Sequence, residues 1–371
     1  MKFEVNQNDF FKSIAITESI ISTREIRSII SSIHLEAKDD ILTLTSTDLE
    51  IGIKTRLAAR VLEPGSIALP AKKLSQSIRE FRAEKILFSI TDDTKVSLTD
   101  AEGTSKAHIT LVGTSSSEYP PLPTMNEKEF TAVPPELLIE MIRKTIYSVA
   151  TEDQRFVFNG LFIKNIGNKV DFVATDGRRL SLIQRDFPSE LPFQAGIIVP
   201  NKAIRELQKL LEASLKTKVG YNAAEKQIHF RIGQIDFISK LLDGQYPDYN
   251  MVIPKTLEHS VTIDKAYLES CLKQVSVMAT EPSKQVKLSF QKDALTISAS
   301  TPDIGEADDQ LDIDYDGDEV LTSFNANYIL DIIKVIRDEK LAFAFSNSGS
   351  PAVIKDQGDP EFTAVIMPMK V

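Results

Sequence analysis

The hydrophobic positions of this chain change period repeatedly, from two to about 3.6 and back. The clearest stretch is VDFVATDGRRLSLIQR, residues 170–185, where Val170, Phe172 and Ala174 alternate with Asp171, Val173 and Thr175. Such alternation predicts a strand with unlike faces. Asp176-Gly177 interrupts the run, and Leu180, Leu182 and Ile183 resume it. An Asp-Gly step between two such runs predicts a hairpin in which both turn positions tolerate φ > 0. Taken by itself, the segment reads as a turn with two solvated arginines, Arg178 and Arg179.

The same grammar runs along the whole chain. Residues 3–5 open as a strand, and Asp9 is placed to cap an amphipathic helix beginning NDFFKSIAI. Strands are expected at 28–35 and 41–47, ending in TDLE at 47–50, and a strand-and-helix passage, SIALPAKKLSQSIREFR, at 66–82. Strands at 85–90, 96–99 and 108–111 follow, and the Ser- and Pro-rich residues 113–129 read as a linker. The pattern then restarts with PPELLIEMIRKTI, where proline sits in the first helical turn. TDGR at 175–178, the passage IIVPNKAIRELQKLLEA at 197–213 and strands within 227–242 come next. A second linker, 244–254, leads to a third pass with a strand at 261–263, a helix over 265–279, strands at 286–290 and 294–300, and a helix within 323–339.

These echoes keep a nearly fixed spacing. Thr47 and Thr175 lie 128 residues apart, Thr175 and Thr301 126, Pro70 and Pro200 130, and Tyr119 and Tyr246 127. A period of this length means three copies of one domain. It divides the chain into domains 1–124, 125–254 and 255–371, each large enough to bury a core. A strand-turn-helix unit occurs twice per copy, so six helices are expected.

Composition changes the functional picture more than the structural one. The chain of 371 residues is 42% hydrophobic and carries a net charge of −10. That charge weighs against a protein that coats nucleic acid, though not against one that gathers its cations on a single surface. On the helix at 201–213, Lys202, Arg205 and Lys209 share a face opposite Ile204, Leu207 and Leu211, with Glu206 near its edge. Lys72, Lys73, Arg79 and Arg82 crowd the second helix, and Lys334 and Arg337 mark the last. Each is equally an ordinary solvated face. Six such helices together offer phosphate contacts that are salt-dependent and indifferent to base sequence.

Enzyme chemistry finds little support. The single cysteine, Cys271, allows no intrachain disulfide and sits at helical spacing as a small core residue. The four histidines lack metal-ligand spacing, and no phosphate-loop, dinucleotide or zinc-protease motif occurs, so no cofactor and no metal are expected. DIDYDG at 312–317 matches half of a calcium loop, but its twelfth position is Ser323 where a glutamate is required. Asp316-Gly317 reads more simply as a hairpin turn. No leader-like opening and no apolar run of about 18 residues is present, which places the expected chain in the cytoplasm, away from membranes.

Seven segments in order, MKFEV, TDLE, DQRFVFNGL, VATDGRRL, SKLLDGQYPDY, FNANYILD and MPMKV, resemble those of the bacterial sliding clamps, the beta subunits of DNA polymerase III, over the full length. The resemblance implies an α+β clamp fold of three repeated domains, each two αβ half-units with helices on the inner face and antiparallel sheets outside. Two chains would close head to tail into a homodimer ring around duplex DNA, with no catalytic activity. The ring would tether the replicative polymerase, the clamp loader and repair polymerases through short peptides with Leu and Phe anchors. The implied peptide pocket takes Thr175, Gly177, Arg178, Arg179 and Leu180 from the hairpin and Phe158 from its neighbour. Pro247 and Val252 come from the second linker, Asn325 and Tyr328 from the last helix, and Val365, Ile366, Met367, Pro368, Met369 and Lys370 from the C-terminal strand. Arg24, Lys72, Lys73 and Lys202 stand where the family places DNA contacts, and Phe156-Val157 where some members carry two tyrosines. With Arg205 and Lys209 from the helix face, these complete the expected DNA-binding set. Arg178 replaces a common histidine, Met251 an arginine, and Lys370-Val371 an Arg-Leu pair, which leaves the peptide preference open. The alternatives are a peptide-binding scaffold that does not encircle DNA, and a hydrolase using the acidic turns.

Overall fold

The structure is a computed structural model that describes residues 1–21, 29–212 and 216–370. Among the described residues there are six α-helices: α1 (Gln7–Glu18), α2 (Ala71–Glu80), α3 (Pro135–Arg143), α4 (Asn201–Leu211), α5 (Lys265–Val275) and α6 (Ala326–Ile333). Helix starts follow local chemistry, with one correction. The cap of α1 is Asn6, whose Oδ1 accepts hydrogen bonds from the amides of Asn8 and Asp9 at 3.0 and 3.2 Å. Asp9 lies one turn further in, where a negative charge favours the helix dipole. At α5, Asp264 caps the amide of Tyr267 at 2.9 Å, and the helix stops at Val275, continuing only as a 3-10 turn over Ser276–Met278. None of the helices is long and apolar enough to cross a membrane.

The chain folds into two units. The first comprises Met1–Glu136, Leu191–Phe193 and Arg205–Leu241. Its five-stranded sheet comes from the first sequence repeat alone and ends in the edge strand His108–Val112. Its eight-stranded sheet takes four strands from residues 32–70 and four from 130–240. They join where Ile51–Ala58 pairs with Ile235–Lys240. Phe3, Phe10, Ile14, Leu74 and Phe88 share its core, with Phe3 stacked on Phe88 at 4.6 Å. The strand expected at 28–35 is Ser32–Lys38, preceded by a 3-10 turn at Ile29–Ser31, and residue 28 lies outside the described residues. The stretch 113–129 is no free linker, because Tyr119 is buried, donates from its hydroxyl to the Ser32 carbonyl at 3.1 Å and stacks on His34.

The second unit comprises Leu137–Glu190, Gln194–Ile204 and Leu242–Val371. Its eight-stranded sheet joins strands of the second and third repeats where Arg179–Asp186 pairs with Asp359–Ile366. The joints of the two units use the same register, Ser239 facing Ile51 in one and Ile366 facing Arg179 in the other. Three sequence repeats therefore condense into two units because each long sheet is shared by neighbouring repeats. The remaining four-stranded sheet belongs to the third repeat and has Gly305–Asp312 as an edge strand. Asp316-Gly317 does not turn a hairpin: Gly305–Asp312 pairs with Ala294–Thr301, whereas Val320–Asn325 pairs with Gln285–Gln291 across the sheet. Periodicity also missed Gly305–Asp312 and Thr217–Asn222, the former because its acidic residues mask the alternation. Cys271 is buried in α5, and burial pushes its thiol pKa up to about 12.

Candidate functional site

The hairpin at residues 169–186 builds one wall of a cavity in the second unit. Thr175 pairs with Leu180, leaving a four-residue loop. Thr175 Oγ1 donates to the Arg179 carbonyl at 2.6 Å and accepts from the Gly177 amide at 3.0 Å. Asp176 Oδ1 accepts from the amides of Arg178 and Arg179 at 2.9 and 3.0 Å. Only Gly177 has positive φ, at 81°, so the expectation of two such positions is corrected. Thr and Asp side chains satisfy the loop amides and thereby set the turn. Nor does the preceding strand have unlike faces, since residues 170–174 are all buried. Asp171 is accommodated there by the hydroxyl of Tyr249 and the amide of Gln184, each donating at 2.6 Å.

The cavity holds about 250 Å3. Val173, Leu180, Ile198 and Val365 belong to the apolar cluster beneath it, together with Phe158, Tyr246 and Tyr249. Tyr246 stacks on Phe162 at 4.6 Å, and burial pushes the phenols of Tyr246 and Tyr249 upward. Two guanidinium groups line it, both already partnered. Arg179 binds Asp176 at 3.0 Å and Asp331 at 2.8 Å, and lies over the Tyr328 ring at 4.4 Å. Burial would raise the pKa of Asp331, but Arg179 and Lys334 outweigh it and hold the carboxyl below its ordinary value. Arg155 covers the ring of Phe158 at 4.4 Å and grips Asp153 through Nε and Nη2, holding that carboxyl at about 2. The result is an apolar trough with ion-paired, pre-oriented rims, suited to an extended chain bearing apolar anchors.

Of the residues expected from sequence, Phe158, Thr175, Gly177, Arg179, Leu180, Pro247, Val252, Val365 and Met367 line this cavity. Arg178 is exposed on the loop, and its carbonyl accepts from the Met367 amide at 2.8 Å. Asn325 caps α6, Tyr328 backs Arg179, and Ile366 is buried in the sheet. The last strand stops at Ile366; Pro368, Met369 and Lys370 continue as an extended segment that borders a separate depression with Ser348 and Gly349. Arg155, Tyr246, Asp248 and Tyr249 line the cavity without having been singled out. Two tyrosines bracketing a proline in the second linker were the available signal.

Lys72 and Lys73 are exposed on α2, and Lys202, Arg205 and Lys209 are exposed on one face of α4. Glu206 is buried rather than at the edge of that face, and Lys209 Nζ reaches it at 3.1 Å. Phe156 is 75% exposed on the turn Phe156–Asn159. Arg24 lies outside the described residues.

Family comparisons cover nearly the whole chain. Residues 1–123, 132–248 and 250–370 match the N-terminal, central and C-terminal domain models of the DNA polymerase III beta subunit. The beta sliding clamp of Caulobacter vibrioides is 29% identical, with all of both chains covered. The DNA polymerase sliding clamp of Bacillus subtilis superposes with a TM-score of 0.94 at 25% identity, covering 100% of this chain and 99% of that one. The Bartonella birtlesii sliding clamp bound to griselimycin does so at 0.94 and 27% identity, with all of both chains covered.

Proposed function

Because the chain belongs to the DNA polymerase III beta-subunit family, we propose that it works as a ring of two copies joined head to tail around duplex DNA. It is a DNA sliding clamp, a non-catalytic subunit of the replicative polymerase with the three-domain α+β clamp fold. The single observation that carries the ring is the sheet joint. Twice, the strand after a Thr-Asp turn pairs with the last strand of another repeat, Ile51–Ala58 with Ile235–Lys240 and Arg179–Asp186 with Asp359–Ile366. The corresponding strand of the third repeat, Gly305–Asp312, which follows Thr301-Pro302 instead, and the last strand of the first repeat, His108–Val112, are both sheet edges. Pairing them between copies repeats the joint and removes two open edges. Charge favours the match, with Glu306, Asp308 and Asp309 on one strand and Lys106 just before the other.

Domains 1–124, 125–254 and 255–371 then supply six repeats per ring, with Lys72, Lys73, Lys202, Arg205, Lys209 and Phe156 toward DNA. Many weak phosphate contacts with no base readout let a ring slide. The cavity beside the 169–186 hairpin receives Leu- and Phe-anchored peptides of polymerases, the clamp loader and repair factors, in the cytoplasm. A tethered polymerase stays at high effective concentration near the primer end.

Cysteines introduced at Thr110 and Asp308 test the ring, since the one native cysteine is buried. Loaded on a circular duplex and only then oxidised, the pair should give a closed, covalent dimer that resists high salt and leaves when the circle is cut. A monomer by light scattering, or retention unchanged by cutting, defeats the proposal.

A further inference from the structure

A second cavity, about 170 Å3, lies in the first unit and shares no lining residue with the peptide trough. Its floor is one face of three neighbouring strands. His229 and Arg231 stand two apart on Gln227–Ile232; Arg231 faces Asp236, Asp236 faces Lys54, and Arg56 follows Lys54 by two. Residues directly opposite or two apart project to the same side of a sheet, so five polar side chains share it. Met125 and Phe130 add an apolar wall.

The lining brings Lys54, Arg56 and Arg231 against Asp236, and Glu127 reaches Arg231 from outside it, which leaves one cation in excess. Asp236 is clamped by Arg56 Nη2 and Arg231 Nε, each at 2.7 Å. Burial would raise its pKa, and the two guanidiniums hold it below the ordinary value instead. Arg231 also binds Glu127 and lies over the Phe130 ring at 4.5 Å. Lys54 makes no ion pair or hydrogen bond among the described residues. His229 is 4% exposed, and its Nε2 has no hydrogen-bond partner. Desolvation lowers its pKa and keeps the ring neutral. Folded proteins leave few buried polar atoms unmatched, so this orphan beside an excess cation points to a missing partner, an acceptor when Nε2 carries the ring proton.

We infer that this cavity binds a small oxyanion, a phosphate or carboxylate group carried by a small molecule. It is several times the roughly 30 Å3 share of one water, enough for such a group and part of what bears it. The Asp236 clamp fixes both guanidiniums while leaving most of their five N–H donors unspent. Lys54 supplies a mobile ammonium, neutral His229 a ring N–H, and Met125 with Phe130 a surface for carbon.

The test uses the full chain with 15N-labelled histidine, titrated at constant ionic strength with inorganic phosphate and, separately, succinate, against a chloride control. A saturable shift of the His229 ring nitrogens, absent at His108 and His259, is expected. Phosphate alone, succinate alone or both producing it identifies the favoured oxyanion. Lys54→Gln, which breaks no pair, should weaken the response about tenfold or more, as loss of a charged hydrogen bond does. No saturable shift with either anion, an equal response to chloride, or undiminished binding by Lys54→Gln overturns the site.

Discussion

Leu49 holds a backbone conformation that leucine seldom adopts, with φ of 76° and a side chain 53% exposed. Its surroundings explain why. Thr47 Oγ1 donates to the Ile51 carbonyl at 2.8 Å and accepts from the Leu49 amide at 2.9 Å, while Asp48 Oδ1 accepts from the amides of Glu50 and Ile51. Bond for bond, this is the Thr175–Arg179 loop, in which Gly177 takes Leu49's place. Threonine and aspartate set both turns, and the residue between bears the left-handed φ whatever it is. Leu49→Asn should therefore stabilise the protein by about 0.5–1 kcal/mol, since asparagine tolerates that region. Gly177→Ala should cost about 1 kcal/mol and weaken peptide binding, because the new Cβ would stand 2.6 Å from Arg155 Nη2. Urea unfolding and peptide titration read the two effects. A destabilised Leu49→Asn would mean that the leucine side chain holds something in place.

At the scale of elements, α4 separates two jobs on opposite faces. Ile204, Leu207 and Leu211 are buried while Lys202 and Arg205 are exposed, so Lys202→Glu with Arg205→Glu should spare folding and peptide binding. DNA affinity should fall, and the slope of log affinity against log salt should shrink by about 0.9 for each phosphate no longer neutralised. An unchanged slope puts this face away from DNA. The C-terminal segment is the complementary case. Beyond Ile366 it is held by the Met367 and Met369 amides bonding to the carbonyls of Arg178 and Ser323, each at 2.8 Å. Of the described residues after the strand, only Met367 lines the trough. Removing residues 367–371 takes away that wall and the bond fixing the hairpin loop, but no sheet pairing. One apolar anchor is worth roughly 1.5–3 kcal/mol, so peptide binding measured by anisotropy should weaken at least about tenfold, with the dimer intact. Undiminished affinity removes the segment from the site.

Across the second unit as a whole, a buried ionic lattice ties the end of α3 to the last two strands. Lys144, with a side chain 0% exposed, binds Asp356 at 3.1 Å and Asp359 at 2.6 Å, and Arg185 joins Asp359 to Glu140. Burial would raise the pKa of both aspartates. For Asp356 the amide of Arg337 and Lys144 outweigh it; for Asp359, Arg185 and Lys144 do, and both fall below 3.8. A carboxyl with a depressed folded pKa contributes fully above its unfolded value and loses that contribution as pH drops through the folded one. Stability should therefore hold down to about pH 4 and decline below it. Lys144→Met should cost about 3 kcal/mol at neutral pH, the low end for a broken buried pair because both carboxylates keep other partners, and should flatten the acid decline. A Lys144→Met protein with the parental acid profile would show that the lattice does not govern it.

Periodicity and turn chemistry were enough to locate the six helices and the Thr-Asp hairpin, because each depends on residues within a few positions of one another, and the recurrence of these local signals at a nearly fixed spacing located the three repeats. The hairpin half of the trough was legible only through the resemblance of VATDGRRL to the family's segment, since the residues by themselves read as a turn with two solvated arginines. Tertiary structure alone decided which repeats share a sheet, since strand edges such as Ile51–Ala58 and Ile235–Lys240 meet across nearly two hundred residues. It chose Asn6 over Asp9 as the cap, buried both faces of 170–174, and turned Lys144 from an ordinary helix lysine into the centre of an ionic lattice. It also brought Arg155, Tyr246 and Tyr249 to the trough, and His229 beside Lys54 and Arg56. A side chain's pattern along the chain says which way it points from its own backbone; what it meets there is set by the long-range pairing of strands.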